Sequence, residues 1–301
     1  MKYVRRFKEA LPIALLAAGL SLGSSVHAQV GFTGTYTQNF DSLGTTGTVA
    51  PTGWSVYSEA GTHDTFSYYQ DTASGSPVAG VTPNLSAGAL TLEPTLTAGA
   101  AATQKGLVGY NFATTATATN RALGTSPSGN AATILEASFS NNTGRAISTL
   151  ALSYDIYRFT TTVNNNTTFV TQGDLTAAVE ENPGYWLFYS LNNGTTWTNV
   201  SSLNSTLSGP TGVIVPNAVG VTNVVAPTLS LSGAWAAGST LTLAWIDDNA
   251  QGPSPDQLLG LDNVSVTAIP EPSCAAGIVG IAAVGACVLR RRFVRTSNAK
   301  A

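Results

Sequence analysis

"TLALSYDIYRF", Thr149 to Phe159, decides how the middle of this chain is read. Leu150, Leu152, Tyr154 and Ile156 fall on one face of an extended backbone, because successive side chains of a strand point to opposite sides. The alternation ends where Arg158 takes the next position on that face, so the stretch is predicted to be a half-buried strand.

Four other runs read the same way: "ATILEASFS", "YWLFYSL", "STLTLAWI" and "LDNVSVTAI". They are rich in β-branched and aromatic residues and are separated by clusters of Gly, Asn, Ser and Pro. No long amphipathic helix pattern lies between the two ends of the chain. Many strands with turn chemistry and no alternating helices predict an all-β fold, an antiparallel β-sandwich of jelly-roll-like organisation. No fixed-period repeat stands out, which argues against propellers and solenoids.

Composition narrows the functions open to such a domain. Residues 29–268 suffice for one large domain, and the segment holds four basic residues, Lys105, Arg121, Arg145 and Arg158, against fourteen acidic ones, a net charge of −10. No basic residue occurs between Arg158 and Arg290. Nucleic acid is a poor partner for this surface, since neutralising phosphates requires Lys and Arg. Low charge with abundant Thr, Ser, Asn and Gly suits an exported β protein. Both cysteines, Cys274 and Cys287, lie near the C-terminus, so the predicted domain has no disulfide and no cysteine-ligated metal.

The two ends carry addresses. Lys2, Arg5, Arg6 and Lys8, an apolar core from Leu11 to Leu22 and the small residues before Ala28 form the three parts of a secretory signal peptide, residues 1–28, with signal peptidase cutting after Ala28. Cys274 to Leu289 is a run of 16 uncharged residues, short of the roughly 20 of a comfortable membrane helix. Arg290, Arg291 and Arg292, followed by Arg295, would stop it and keep residues 296–301 in the cytoplasm by the positive-inside rule.

Pro270-Glu271-Pro272, a short membrane segment and a terminal arginine cluster, in that order over residues 269–295, resemble the PEP-CTERM sorting signal of exported bacterial proteins. The resemblance implies an exosortase as partner, processing of the tail, and a product left at the cell surface or in the extracellular matrix of an exopolysaccharide-making bacterium. Four further stretches, "YTQNFDSLGTTGTVAPTGWSVY", "NRALGTSPSG", "NNTGRAISTLALSYDIYR" and "LAWIDDNAQGPSPDQLLGLDNVSVTAIPEP", resemble landmarks of exported sandwich domains that often precede such a tail. That group has Gly-Glu-Gln-Trp-Arg where this chain has Asp155-Ile156-Tyr157-Arg158, and the resemblance implies no catalytic residues.

Enzyme signatures are thin. His63 is the one histidine past the signal, and its neighbour Asp64 points to the opposite face of a strand. No Gly-x-Ser-x-Gly elbow is present. Glu59, Glu93, Glu136, Glu180 and Glu181 could furnish a glycosidase pair, but nothing in the sequence brings two of them into one cleft. "SLNNGTTW", Ser190 to Trp197, resembles the Asp-box of sialidase-type propellers with Asn192 in place of the Asp; it occurs once, and reads better as a hairpin turned by Asn193-Gly194 with Trp197 packed back on the sheet.

The ligand-like cluster is "DDNAQGPSPDQLLGLDN". Asp247, Asp248, Asn249, Asp256 and Asp262 carry oxygen ligands suited to calcium. They do not make an EF-hand, since Leu258 stands where the bidentate Glu belongs. The tryptophans are expected mostly in the core, and the consecutive Tyr68 and Tyr69 are the candidates for stacking on a sugar, because they cannot both face inward. The resulting expectation is a non-enzymatic exported protein with a structural or adhesive role in exopolysaccharide, the alternatives being a calcium-dependent carbohydrate-binding module and a glycan hydrolase.

Overall fold

The computed structural model describes residues 28–60, 85, 90–100, 109–126, 131–159, 185–204, 219–247 and 258–270. Among them the fold is all-β, with two sheets packed face to face and no α-helix. The first sheet contains β3 (Trp54–Ala60), β4 (Thr91–Leu92), β8 (Ala131–Asn141), β10 (Trp186–Ser190), β11 (Thr198–Asn199) and β13 (Thr240–Asp247), in the order β11-β10-β13-β8-β3-β4. The second contains β5 (Thr97–Ala100), β6 (Tyr110–Ala113), β7 (Ala122–Thr125), β9 (Ile147–Arg158), β12 (Gly220–Trp235) and β14 (Leu259–Ala268), in the order β12-β9-β14-β7-β6-β5. β1 (Val30–Phe32) joins β8 and β2 (Thr35–Gln38) joins β14, so the chain enters by touching both layers.

The antiparallel expectation holds for most pairs and fails for two. β1 runs parallel to β8, and β5 runs parallel to β6. The first follows from the entry of the chain: β1 takes up the edge of β8 where the antiparallel partner β3 stops, pairing Val30 with Phe139 while β3 pairs Trp54 with Ala137. Gly53 stands at that junction with φ of 82°. A Cβ there would lie 2.4 Å from Val30 Cγ2, so the close approach as well as the positive φ requires glycine.

The opening stretch becomes β9, in the interior of the second sheet between β12 and β14. Leu150, Leu152, Tyr154 and Ile156 all enter the core between the layers, as their spacing requires. The alternation does not end at Arg158: this residue belongs to the strand and is only 7% exposed, its guanidinium reaching Thr222 Oγ1 at 2.6 Å. A long side chain can keep the inward position at the end of a strand by leading its charge along the sheet to a polar partner.

The core is aromatic at its centre. Trp54 and Trp245 stack with centroids 5.5 Å apart, and Tyr154 meets Trp245 edge-on at 5.7 Å. Trp54, Trp186, Trp235 and Trp245 are buried, as expected, and Trp197 is half-buried. β14 keeps its apolar residues inward through an extra residue: Leu259 and Leu261 face the core before it, Val264 and Val266 after it, and the register against β9 shifts between Asp262 and Ser265. Asn263, with φ of 49°, takes up the bulge.

The outer faces of the two sheets differ. On the first, Leu85, Ala132, Ile134, Trp186, Phe188, Ala244 and Ile246 form a second apolar cluster, against which Leu90 and Trp197 pack. Glu136 lies on this face and burial pushes its carboxyl up to about 7. The turn before Trp197 is the predicted hairpin, with Asn193 and Gly194 at φ of 54° and 76°. Asn192 Oδ1 accepts from the Thr196 N–H at 2.9 Å, and Trp197 Nε1 donates to the Leu85 carbonyl.

Candidate functional site

The strands put different things at the two ends of the sandwich. At one end β14 finishes: the Ala268 N–H donates to the Gly34 carbonyl, the Ile269 N–H donates to the Thr149 carbonyl, and Pro270 follows, exposed. At the other end β3, β7, β9 and β13 finish and β8, β10, β12 and β14 begin. Segments 61–84, 127–130, 160–184 and 248–257 therefore depart from the end opposite Pro270. Tyr68, Tyr69, Asp248, Asn249 and Asp256 belong to these segments and lie outside the described residues, as does His63.

Asp247, the last residue of β13, points between the sheets and is fully buried. Thr125 of β7, on the facing sheet, donates from Oγ1 to Asp247 Oδ2, and the Tyr185 hydroxyl lies 3.1 Å from the same Thr125 oxygen. Burial, with the charge of Asp247 behind it, holds the Tyr185 hydroxyl well above its ordinary range. This contact ties the two layers together at the mouth of the core. Asp262 is on the other sheet with separate partners, so the structure does not bring these two predicted ligands together. Among the described residues no three His, Cys, Asp or Glu side chains are grouped to hold a metal ion.

The outer face of the second sheet carries the polar constellation that the sequence did not reveal. Asp155 on β9 stands opposite Asn223 on β12 and Asp262 on β14. Asn223 Nδ2 donates to Asp155 Oδ1 at 2.7 Å, and Asn263 Nδ2 donates to Asp155 Oδ2 at 2.8 Å. An amide from each flanking strand thus fixes the carboxylate while both oxygens keep lone pairs for a further donor. Two positions along β9, Tyr157 accepts from Asn120 Nδ2 at 3.0 Å and stacks on Phe159 with centroids 5.6 Å apart and planes 19° from parallel.

Asp262 lies beneath this surface with no exposed area. Its Oδ1 accepts from the Asn263 N–H at 2.7 Å, and its Oδ2 is buried without a hydrogen-bond partner. Burial pushes its carboxyl up to about 7, partly offset by the Asn263 N–H and reinforced by the negative charges of Asp41 and Asp155. Asp41 comes from the 3-10 turn Asp41–Leu43 and is held by the Arg121 N–H at 2.9 Å and by Asn39 Nδ2. Burial raises the Tyr157 hydroxyl, the bond from Asn120 lowers it, and Asp262, Asp155 and Asp41 all raise it further. Four titratable groups on three elements therefore share one electrostatic neighbourhood.

Nearby Arg121 is buried and meets carbonyls instead of acids. Its Nε donates to Asn111 Oδ1 at 2.6 Å, and its terminal nitrogens donate to the Ala118, Gly99 and Asn111 carbonyls. Asn111 passes the link on to the Gly44 and Gly47 carbonyls. This network fixes the turn that delivers Asp41, a structural duty for one of the few basic residues of the domain.

Among the described residues no helix is long and apolar enough to cross a membrane; Cys274–Leu289, the arginines that follow it, Glu271 and Pro272 lie outside them. No protein-family model and no curated protein matches the sequence.

Proposed function

We propose that this chain is an exported bacterial protein that an exosortase sorts at the cell envelope and leaves at the cell surface or in the extracellular matrix, where a non-enzymatic sandwich serves a structural or adhesive role in exopolysaccharide. The observation that carries the reading is the fit of the fold to the two addresses. The first strand begins at Val30, two residues past the proposed signal-peptidase site, and the last ends at Ala268, two residues before Pro270-Glu271-Pro272. In this reading residues 1–28 are removed, 269–295 are the sorting signal with its short membrane helix stopped by Arg290, Arg291 and Arg292, and the sandwich is jelly-roll-like.

Orientation supports the adhesive role. Pro270 follows β14 at the end of the sandwich opposite the last residues of β3, β9 and β13, so attachment through the tail turns those strand ends outward. A second reading is a calcium-dependent carbohydrate-binding module. In that reading Asp248, Asn249 and Asp256, with oxygen side chains, are ligands of the ion, and Tyr68 and Tyr69 stack on the sugar.

Cell fractionation tests the proposal. The native protein is expected in the matrix or at the surface, and the variant with Pro270→Ala, Glu271→Ala and Pro272→Ala is expected to stay in the membrane. Equal distribution of the two would reject the sorting signal. Release of the matrix-bound protein by a calcium chelator would favour the second reading.

A further inference from the structure

We propose that the outer face of the β12-β9-β14 sheet binds a polysaccharide bearing free amino groups, an ammonium lying against the Tyr157 ring and the Asp155 carboxylate. The inference deepens the adhesive reading, and rests on it for where such a polymer would be met.

Charge gives the first argument. Asp155 faces Asp262 across the ladder, next to the Asn263 amide that binds it, and the charge of Asp41 bears on both Asp262 and Tyr157. Of the arginines among the described residues, Arg121 and Arg158 are buried, while Arg145 follows β8 at the end where β14 finishes. A uronic-acid or sulfated polymer would meet the same sign of charge, whereas an ammonium would meet its complement.

Asp262 Oδ2 is a buried carboxylate oxygen without a hydrogen-bond partner. Native structures rarely leave such a group uncompensated. Opposite it, on the neighbouring strand, Asp155 is oriented by two amides and can still accept from outside. A cation seated on Asp155 would meet a carboxylate already oriented to receive it.

Shape gives the second argument. Tyr157, backed by Phe159, offers an aromatic ledge to which an ammonium is attracted and on which the apolar face of a pyranose can stack. Because the Tyr157 oxygen accepts from Asn120, its own proton is free to be donated outward. Ser153, Ser265 and Thr37 continue the face along the strands and supply hydroxyls for the next sugar units. Together they describe an extended, open surface suited to a chain rather than to a single small molecule.

The test is calorimetric titration of the full-length chain, kept in mild detergent at mildly acidic pH, with oligomers of β-linked glucosamine, of N-acetylglucosamine and of a uronic acid. Saturable binding of the free-amine oligomer alone is expected, weakened about tenfold or more by Tyr157→Ala and by Asp155→Asn, and kept within a few-fold by Tyr157→Phe. Unchanged unfolding midpoints establish that the variants are folded, and Asp155→Asn preserves shape should Tyr157→Ala fail. Equal affinity for the N-acetylated oligomer, or binding that survives both Tyr157→Ala and Asp155→Asn as general adsorption to an acidic domain would, overturns the assignment. Neither result depends on sorting, so failure here leaves the fractionation test intact.

Discussion

Asp155 and Asp262 stand opposite each other on β9 and β14, and the sandwich treats them differently: the first is clamped by two amides at its surface, the second is buried with one oxygen unpartnered. Like charges facing one another across a ladder oppose folding. The register of β14 against β9 shifts immediately after the pair, at the bulge that Asn263 takes up.

The pH dependence of stability follows from this arrangement. Asp262 and Glu136 both have folded-state carboxyls raised to about 7, so between the unfolded and folded values the folded chain binds more protons than the unfolded one. Their contribution is therefore fully present below the unfolded carboxylate range and is lost as pH rises towards 7. Thermal unfolding is expected to show a higher midpoint at pH 5 than at pH 8, and the double variant Asp262→Asn, Glu136→Gln should flatten that slope. A midpoint that rises with pH in the native chain would contradict the assignment.

Arg121 should prove structurally demanding. Arg121→Met leaves the carbonyls of Gly99, Ala118 and Asn111 without their donors, a loss of about 3 kcal/mol or more. Arg121→Lys should recover little of it, because a point charge cannot supply the forked set of donors. Chemical denaturation midpoints at constant slope would measure both, and near-native stability of the methionine variant would refute the role.

At Gly53 the prediction is steric. Gly53→Ala places a methyl on a backbone of positive φ and against Val30, a loss of roughly 2 kcal/mol or more. The companion change Val30→Ala should restore part of it, removing the clash but not the strain. If the double variant is no more stable than Gly53→Ala alone, the junction of β1 and β3 is not what the glycine serves.

Local patterns in the sequence were enough for β9, β8, β13 and the hairpin of Asn193-Gly194, because alternation and turn chemistry act over a few residues. They did not show which faces are covered or which edges are free. β13 is buried on both sides, since Leu85 and Trp197 belong to the layer over its sheet. β12 exposes Val221 and Val225 and admits Pro227 at an irregularity, as a strand with one sheet neighbour among the described residues can. The Asp155 site depends on strands far apart in the chain, and no spacing in the sequence relates Asp155 to Asn223 or Asp262. Of the ligand candidates read from the sequence, Asp262 reached this constellation, in a setting other than the acidic loop that first singled it out. The landmark "NRALGTSPSG" marked Arg121 without revealing that its charge is buried.

Export and sorting are decided by intact mass spectrometry of the protein isolated from its own cells. A chain that begins at Gln29 and has lost the arginine-bearing tail beyond the Pro270-Glu271-Pro272 region is expected, with both changes present in the surface or matrix fraction. A full-length C-terminus still ending at Ala301 on the protein recovered from that fraction would contradict it.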